Sequence, residues 1–152
     1  MSAMTNYFES GILNQVFRGL SLTLPSTGVW IGLTSGVPTE VDSASDELGG
    51  NAYARVHVAT GNWTTPAADG NGHKVENNTA IDFPTAAGGN WGYASGVLIT
   101  DAVSGGNVLM KGALTTPRNI LEGDTFRFKR RRSRTKNCRY SSECKIFQSI
   151  CR

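Results

Sequence analysis

Long apolar runs are missing from this 152-residue chain. Nothing approaches the roughly 18–20 consecutive apolar residues of a membrane-spanning helix, so the sequence predicts no such helix and no membrane partner. Histidine is almost as scarce. His57 and His73 are the two present, and neither has a second histidine close by with which to hold zinc. No serine stands in a Gly-x-Ser-x-Gly elbow. The pairs Gly88-Gly89 and Gly105-Gly106 lack the lysine and helix of a phosphate-cradling loop. The expectation is a protein with no catalytic residues, cofactor or metal. A cationic-then-apolar leader is also lacking, since Met1 to Asn6 is short and polar, which argues against signal-driven export. Cysteine is absent before Cys138; Cys138, Cys144 and Cys151 are odd in number and match no zinc spacing.

Helix-forming runs are few, and glycine, with eighteen residues, is plentiful. That balance favours an all-β body with many turns. The stretch Trp91 to Leu114 organises it. Two apolar runs flank Asp101 to Asn107, where an aspartate and Gly105-Gly106 suit a tight reversal, so two antiparallel strands are expected. Val97 to Ile99 is continuously apolar, which predicts cover on both faces. Val29 to Thr34 alternates, with Val29, Ile31 and Leu33 on one face. Tyr53 to Val58 alternates too, which puts Ala54, Val56 and Val58 inward and Tyr53, Arg55 and His57 outward. Ile81 to Pro84 reads as a short strand, and Thr125 to Phe128 as a last one with Phe126 and Phe128 together. Trp63 to His73 reads as one long polar connection, and Thr115 to Arg118 and Glu122 to Asp124 as turns. Glu40, Asp42, Asp46 and Glu47 form an acidic loop whose spacing fits no calcium loop.

One helix precedes the strands, over about residues 6–18. Asn6, with Glu9 three residues on, fits an N-cap, and Gly19 fits a stop. Phe8, Ile12 and Val16, with Leu13, Phe17 and Leu20, recur at helical spacing. That apolar face either packs on the domain's own sheet or docks on a partner. The predicted fold is mainly β: an antiparallel β-sandwich, with a jelly roll among the arrangements allowed, behind an N-terminal amphipathic helix.

Charge divides the chain. Residues 129–152 hold nine of the fifteen Lys and Arg and one acid, for +8, whereas residues 1–128 carry six against eleven, for −5. The expected organisation is one domain over 1–128 and a basic, cysteine-containing tail over 129–152.

Several stretches in order resemble a family of small structural proteins of tailed bacteriophages, the tail-fibre-like or minor tail proteins. They are Met4 to Glu9 through Gly19, Val29 to Ser35, Asn51 to Arg55, Ile81 to Pro84, Trp91 to Tyr93, Gly105 to Leu109, Gly112 to Thr115 and Gly123 to Phe128. The resemblance implies a non-enzymatic virion component, assembled in the bacterial cytoplasm. It would be present in many copies and held by contacts with itself, as a homo-oligomer, and with other capsid or tail proteins. A tail fibre or tail adaptor is one place for it, and a cement or decoration protein on the head is another. After Phe128 the run Lys129 to Lys136 breaks the pattern, as a shift of reading frame would. The partner-binding candidates are Phe8, Ile12 and Val16 on the helix and Arg130, Arg131 and Arg132 in the tail, the latter also offering nucleic acid a salt-sensitive contact. A carbohydrate-binding sandwich is the remaining alternative, and it requires Trp63, Trp91 or Tyr93 on an open face.

Overall fold

The computed structural model describes residues 2–36 and 44–130. The opening segment is a short strand, β1 (Ser2–Met4), which runs directly into helix α1 (Asn6–Arg18). Seven further strands follow α1 before the last: β2 (Gly28–Thr34), β3 (Val56–Ala59), β4 (Ala67–Asp69), β5 (Gly72–Lys74), β6 (Ile81–Thr85), β7 (Gly92–Thr100) and β8 (Val108–Ile120). The chain of described strands closes with β9 (Thr125–Phe128). The main sheet is antiparallel in the order β1-β8-β7-β2-β3, and β6 pairs with β9 in a second, two-stranded sheet.

The core lies between these two sheets. Ile31 and Leu33 of β2 pair with Ile99 and Val97 of β7, so their side chains share one face of the main sheet. Ile81, Phe83, Phe126 and Phe128 of the second sheet join the same buried cluster. Phe83 meets Phe126 and Phe128 edge-on, with ring centroids 5.8 and 6.1 Å away, the geometry that aromatic quadrupoles favour. The fold is therefore mainly β, a lopsided antiparallel sandwich led by one helix. Phe128 is fully buried, so its truncation to alanine would cost about 3–5 kcal/mol through lost transfer energy and the cavity left behind.

The central hairpin is β7 and β8. Asp101 closes its turn by accepting from the backbone N–H of Asn107 at 2.7 Å and from the Asn107 side-chain amide at 2.7 Å. Gly105 and Gly106 take the left-handed conformation there. Val97, Leu98 and Ile99 are all buried, but the second face is covered by the segment around Asp46 to Arg55 rather than by a further sheet.

Four expectations need correction. Thr115 to Arg118 is no turn, because β8 runs on through Pro117 to Ile120. Between the pairs Ala94–Arg118 and Gly96–Ala113 the register shifts, so β8 carries more residues there than β7 sets against it. A bulge tolerates a proline, which has no N–H to give the ladder. Trp63 to His73 is not one connection, since Gly70 at φ 61° turns β4 back onto β5. Tyr53 to Arg55 is reversed. Ala54 is exposed while Tyr53 is half-buried and Arg55 buried, because Asn51 and Ala52 take positive φ and the strand starts only at Val56.

The helix cap is the fourth. Thr5, not Asn6, is the N-cap, extended at φ −80°, ψ 159°, with its hydroxyl accepting from Phe8 N–H. The same hydroxyl donates toward the carbonyls of Val108 and Leu109, and Thr5 N–H donates to Leu109 at 3.0 Å. A threonine at the joint between β1 and α1 thus starts the helix and fastens it to β8. Asn6 comes one residue too late.

Candidate assembly surface

Helix α1 follows from its ends and its periodicity. Thr5 satisfies one orphan N–H at the start. Gly19 at φ 67° ends it, and the N–H groups of Gly19 and Leu20 return to the Asn14 carbonyl. Arg18 donates to the Asn14 side chain at 3.1 Å in the last turn, where a cation suits the helix dipole.

A thirteen-residue helix is marginal by itself, yet none of its residues is fully buried. Tyr7 and Phe8 lean on the core cluster, and Ile12 is half-buried. On the other side Leu13, Val16 and Phe17 are 57, 67 and 79% exposed. Their three- and four-residue spacing makes one outward stripe. Leu22 lies against Gly11, where an added Cβ would collide with its side chain. The segment after the helix therefore folds back beside it, carrying exposed Leu20 and Leu24. So Phe8 and Ile12 help hold α1 to its own domain, and Val16 points away from it. Sequence periodicity marks all these positions as apolar without saying which side the sheet covers.

Arg130 is exposed. Arg131 and Arg132 lie outside the described residues, as do Glu40, Asp42 and all three cysteines. Of the three aromatics a sugar platform would need, Trp91 is buried with its indole N–H on the Asn51 carbonyl at 2.8 Å. Trp63 is half-buried against the core and Tyr93 is exposed. With Trp91 buried, the three do not form one open platform. His57 is exposed on β3 beside the Trp30 ring at 4.8 Å.

The remaining acids of the 40–47 loop serve the fold. Glu47 takes a two-pronged ion pair from Arg55, with Nε to Oε1 at 2.8 Å and Nη2 to Oε2 at 2.7 Å. Arg55 Nη1 reaches the Ala102 and Gly105 carbonyls, both at 2.8 Å, in the β7–β8 turn. The Tyr53 hydroxyl accepts from Leu33 N–H at 2.8 Å and donates to Glu47 at 3.1 Å. Burial, chiefly, pushes that phenol above its ordinary range. The Arg55 guanidinium is likewise held above its usual value by its hydrogen bonds to Glu47. Asp46 binds the buried Lys111 ammonium at 3.2 Å. These residues hold the second face of the sheet closed. Sequence patterning places Tyr53 and Arg55 outward and reads Asp46 and Glu47 only as members of an acidic loop, although an arginine in an apolar alternation, downstream of an acidic pair, is a usable signal.

The family model described as Podophage GP4 fiber I protein gp80 matches residues 3–134. The chain belongs to that family of phage fibre proteins. The match runs from within β1 through β9 and six residues past the boundary expected at 128. A search of the curated proteins finds no match. This fibre-family protein is thus a phage structural component, and its family suggests a place in the virion.

Proposed function

We propose that this fibre-family protein is a tail-fibre-like or tail-adaptor subunit that acts through protein–protein contacts, with the outward side of α1 as a principal contact. The observation that carries this reading is an apolar helix stripe left exposed among the described residues. Exposed apolar patches on an otherwise polar surface commonly mark assembly sites. The main sheet supplies the stiff platform, since β1 and the Thr5 hydroxyl tie α1 to β8 at the sheet's edge.

Cryo-EM of the whole virion tests it. Density for this fold is expected on the tail or its fibres, with α1 against a neighbouring chain. Density on the head surface would make the protein a cement component instead. Absence from purified particles, judged by mass spectrometry, would end the virion reading.

A further inference from the structure

We infer that the outward side of α1 is covered, before assembly, by the C-terminal segment of the same chain, residues 140–151, which a neighbouring virion protein then displaces. This rests on the reading of α1 as an assembly surface and adds a control on it. The segment lies beyond the described residues, and its sequence points to the stripe in three ways.

The first is pattern. Tyr140, Cys144, Phe147 and Cys151 recur at spacings of four, three and four residues, which lines anchors along one side of an amphipathic helix. Lys145, Ser149 and Arg152 fall on the opposite side of that repeat. Leu13, Val16 and Phe17, with Leu20 and Leu24 beside them, present an exposed stripe of matching chemistry. The second is charge. Residues 129–152 sum to +8 and residues 1–128 to −5, so the body attracts its own tail and repels an acidic chain. Glu9, exposed in the first turn of α1, places one of those acids on the helix itself. The third is reach. The nine residues 131–139 lead from Arg130 to the apolar repeat and span up to about 30 Å when extended. A body of this size has a radius of gyration of about 14 Å, so the repeat can reach any face of it. Carried on the same chain, it meets the stripe at an effective concentration on the order of millimolar. The family match ends at residue 134, so this cover is a property of the chain rather than of its family.

The test uses the tail's own cysteines. The body has none before Cys138, so a thiol placed on the stripe reports what lies over it. In the full chain, Cys138→Ser and Cys151→Ser leave Cys144 as the single native thiol. Val16→Cys, Phe17→Cys and the control Val103→Cys are each added to that background and oxidised mildly at low micromolar concentration. Val103 is also exposed, but in the β7–β8 turn. A disulfide needs the two Cα atoms within about 7 Å. At least one helix position should close an intramolecular bond to Cys144 at least about 10-fold faster than position 103, read by non-reducing electrophoresis and peptide mass spectrometry. Phe147→Glu should slow that closure at least about 10-fold, the effect of charging a central anchor, and leave circular dichroism and the melting curve unchanged. Closure no faster from either helix position than from 103 overturns the cover, as does closure that ignores Phe147→Glu or oxidation that yields linked dimers alone. The assembly reading is judged separately in the virion. A helix α1 seen against a neighbour, with no trapping in the free chain, refutes the cover and leaves that reading standing. Trapping in the free chain with α1 bare in the particle does the reverse.

Discussion

Replacing Arg55 by methionine should be among the most damaging single changes outside the aromatic core. The Arg55 side chain is buried, at 5% exposure, and makes two bonds to Glu47, one to Thr100 at 3.1 Å and two to the carbonyls of the β7–β8 turn. Methionine roughly fills the volume but supplies none of these donors. It would leave the Glu47 carboxylate, whose side chain is 14% exposed, without its counter-charge. Breaking one side of a buried pair costs about 3–5 kcal/mol. For a chain of this length each kcal/mol lowers the melting temperature by about 2–4 °C, so a drop on the order of 10 °C is expected. Urea and thermal unfolding of Arg55→Met, Glu47→Leu and the double variant form the cycle. The double should be less damaging than the two single costs added, because it leaves no orphaned charge. Arg55→Lys should rescue little, since an ammonium cannot reproduce the planar fork. A cost below about 1 kcal/mol for Arg55→Met, or strict additivity in the cycle, would refute the claim that this network closes the sheet's second face.

Three other outcomes follow from the same contacts. The Tyr53 phenol is raised in the folded chain from its ordinary 10.0, so its share of stability is full below pH 10 and falls as pH rises beyond it, where the unfolded chain releases the proton first. Tyr53→Phe should flatten that alkaline decline in urea midpoints while costing about 1–3 kcal/mol at neutral pH through the stranded Leu33 N–H; an unchanged alkaline slope would contradict the assignment. Thr5→Ala should lose about 1–2 kcal/mol from the cap, with α1 amides exchanging faster than in the wild type while the core strands stay protected. Gly28→Ala should destabilise by more than about 1 kcal/mol, because a Cβ at φ 144° would lie 2.7 Å from the Ala59 backbone; wild-type denaturant midpoints would show that β2 can move off β3.

The elements most legible in sequence were those whose burial is periodic and local. Phe126 and Phe128 alternate with polar neighbours, the run at Val97 to Ile99 announces a strand covered twice, and Gly19 ends a helix wherever such a face stops. What sequence concealed depends on contacts between distant segments. Arg55 looks like an outward residue until the positive φ of Asn51 and Ala52 rotates the approach to β3 and turns it inward. Thr115 to Pro117 carries turn chemistry, yet the strand absorbs it as a bulge. The assembly candidates split for a similar reason. Phe8, Ile12 and Val16 are alike in one dimension, and the sheet's position decides that the first two face home while the third faces out.

The first strand of the chain has its partner at the far end. Ser2 pairs with Gly112, so about 110 residues separate β1 from the ladder that holds it. At about 5–20 residues per second of synthesis, the ribosome releases β1 and α1 about 5–20 s before β8 exists to receive them. Throughout that interval the helix has neither its anchoring threonine contacts nor the sheet beneath it. Nascent chains halted before Val108 would therefore carry a bare apolar segment at their leading end, the kind of segment that holding chaperones bind.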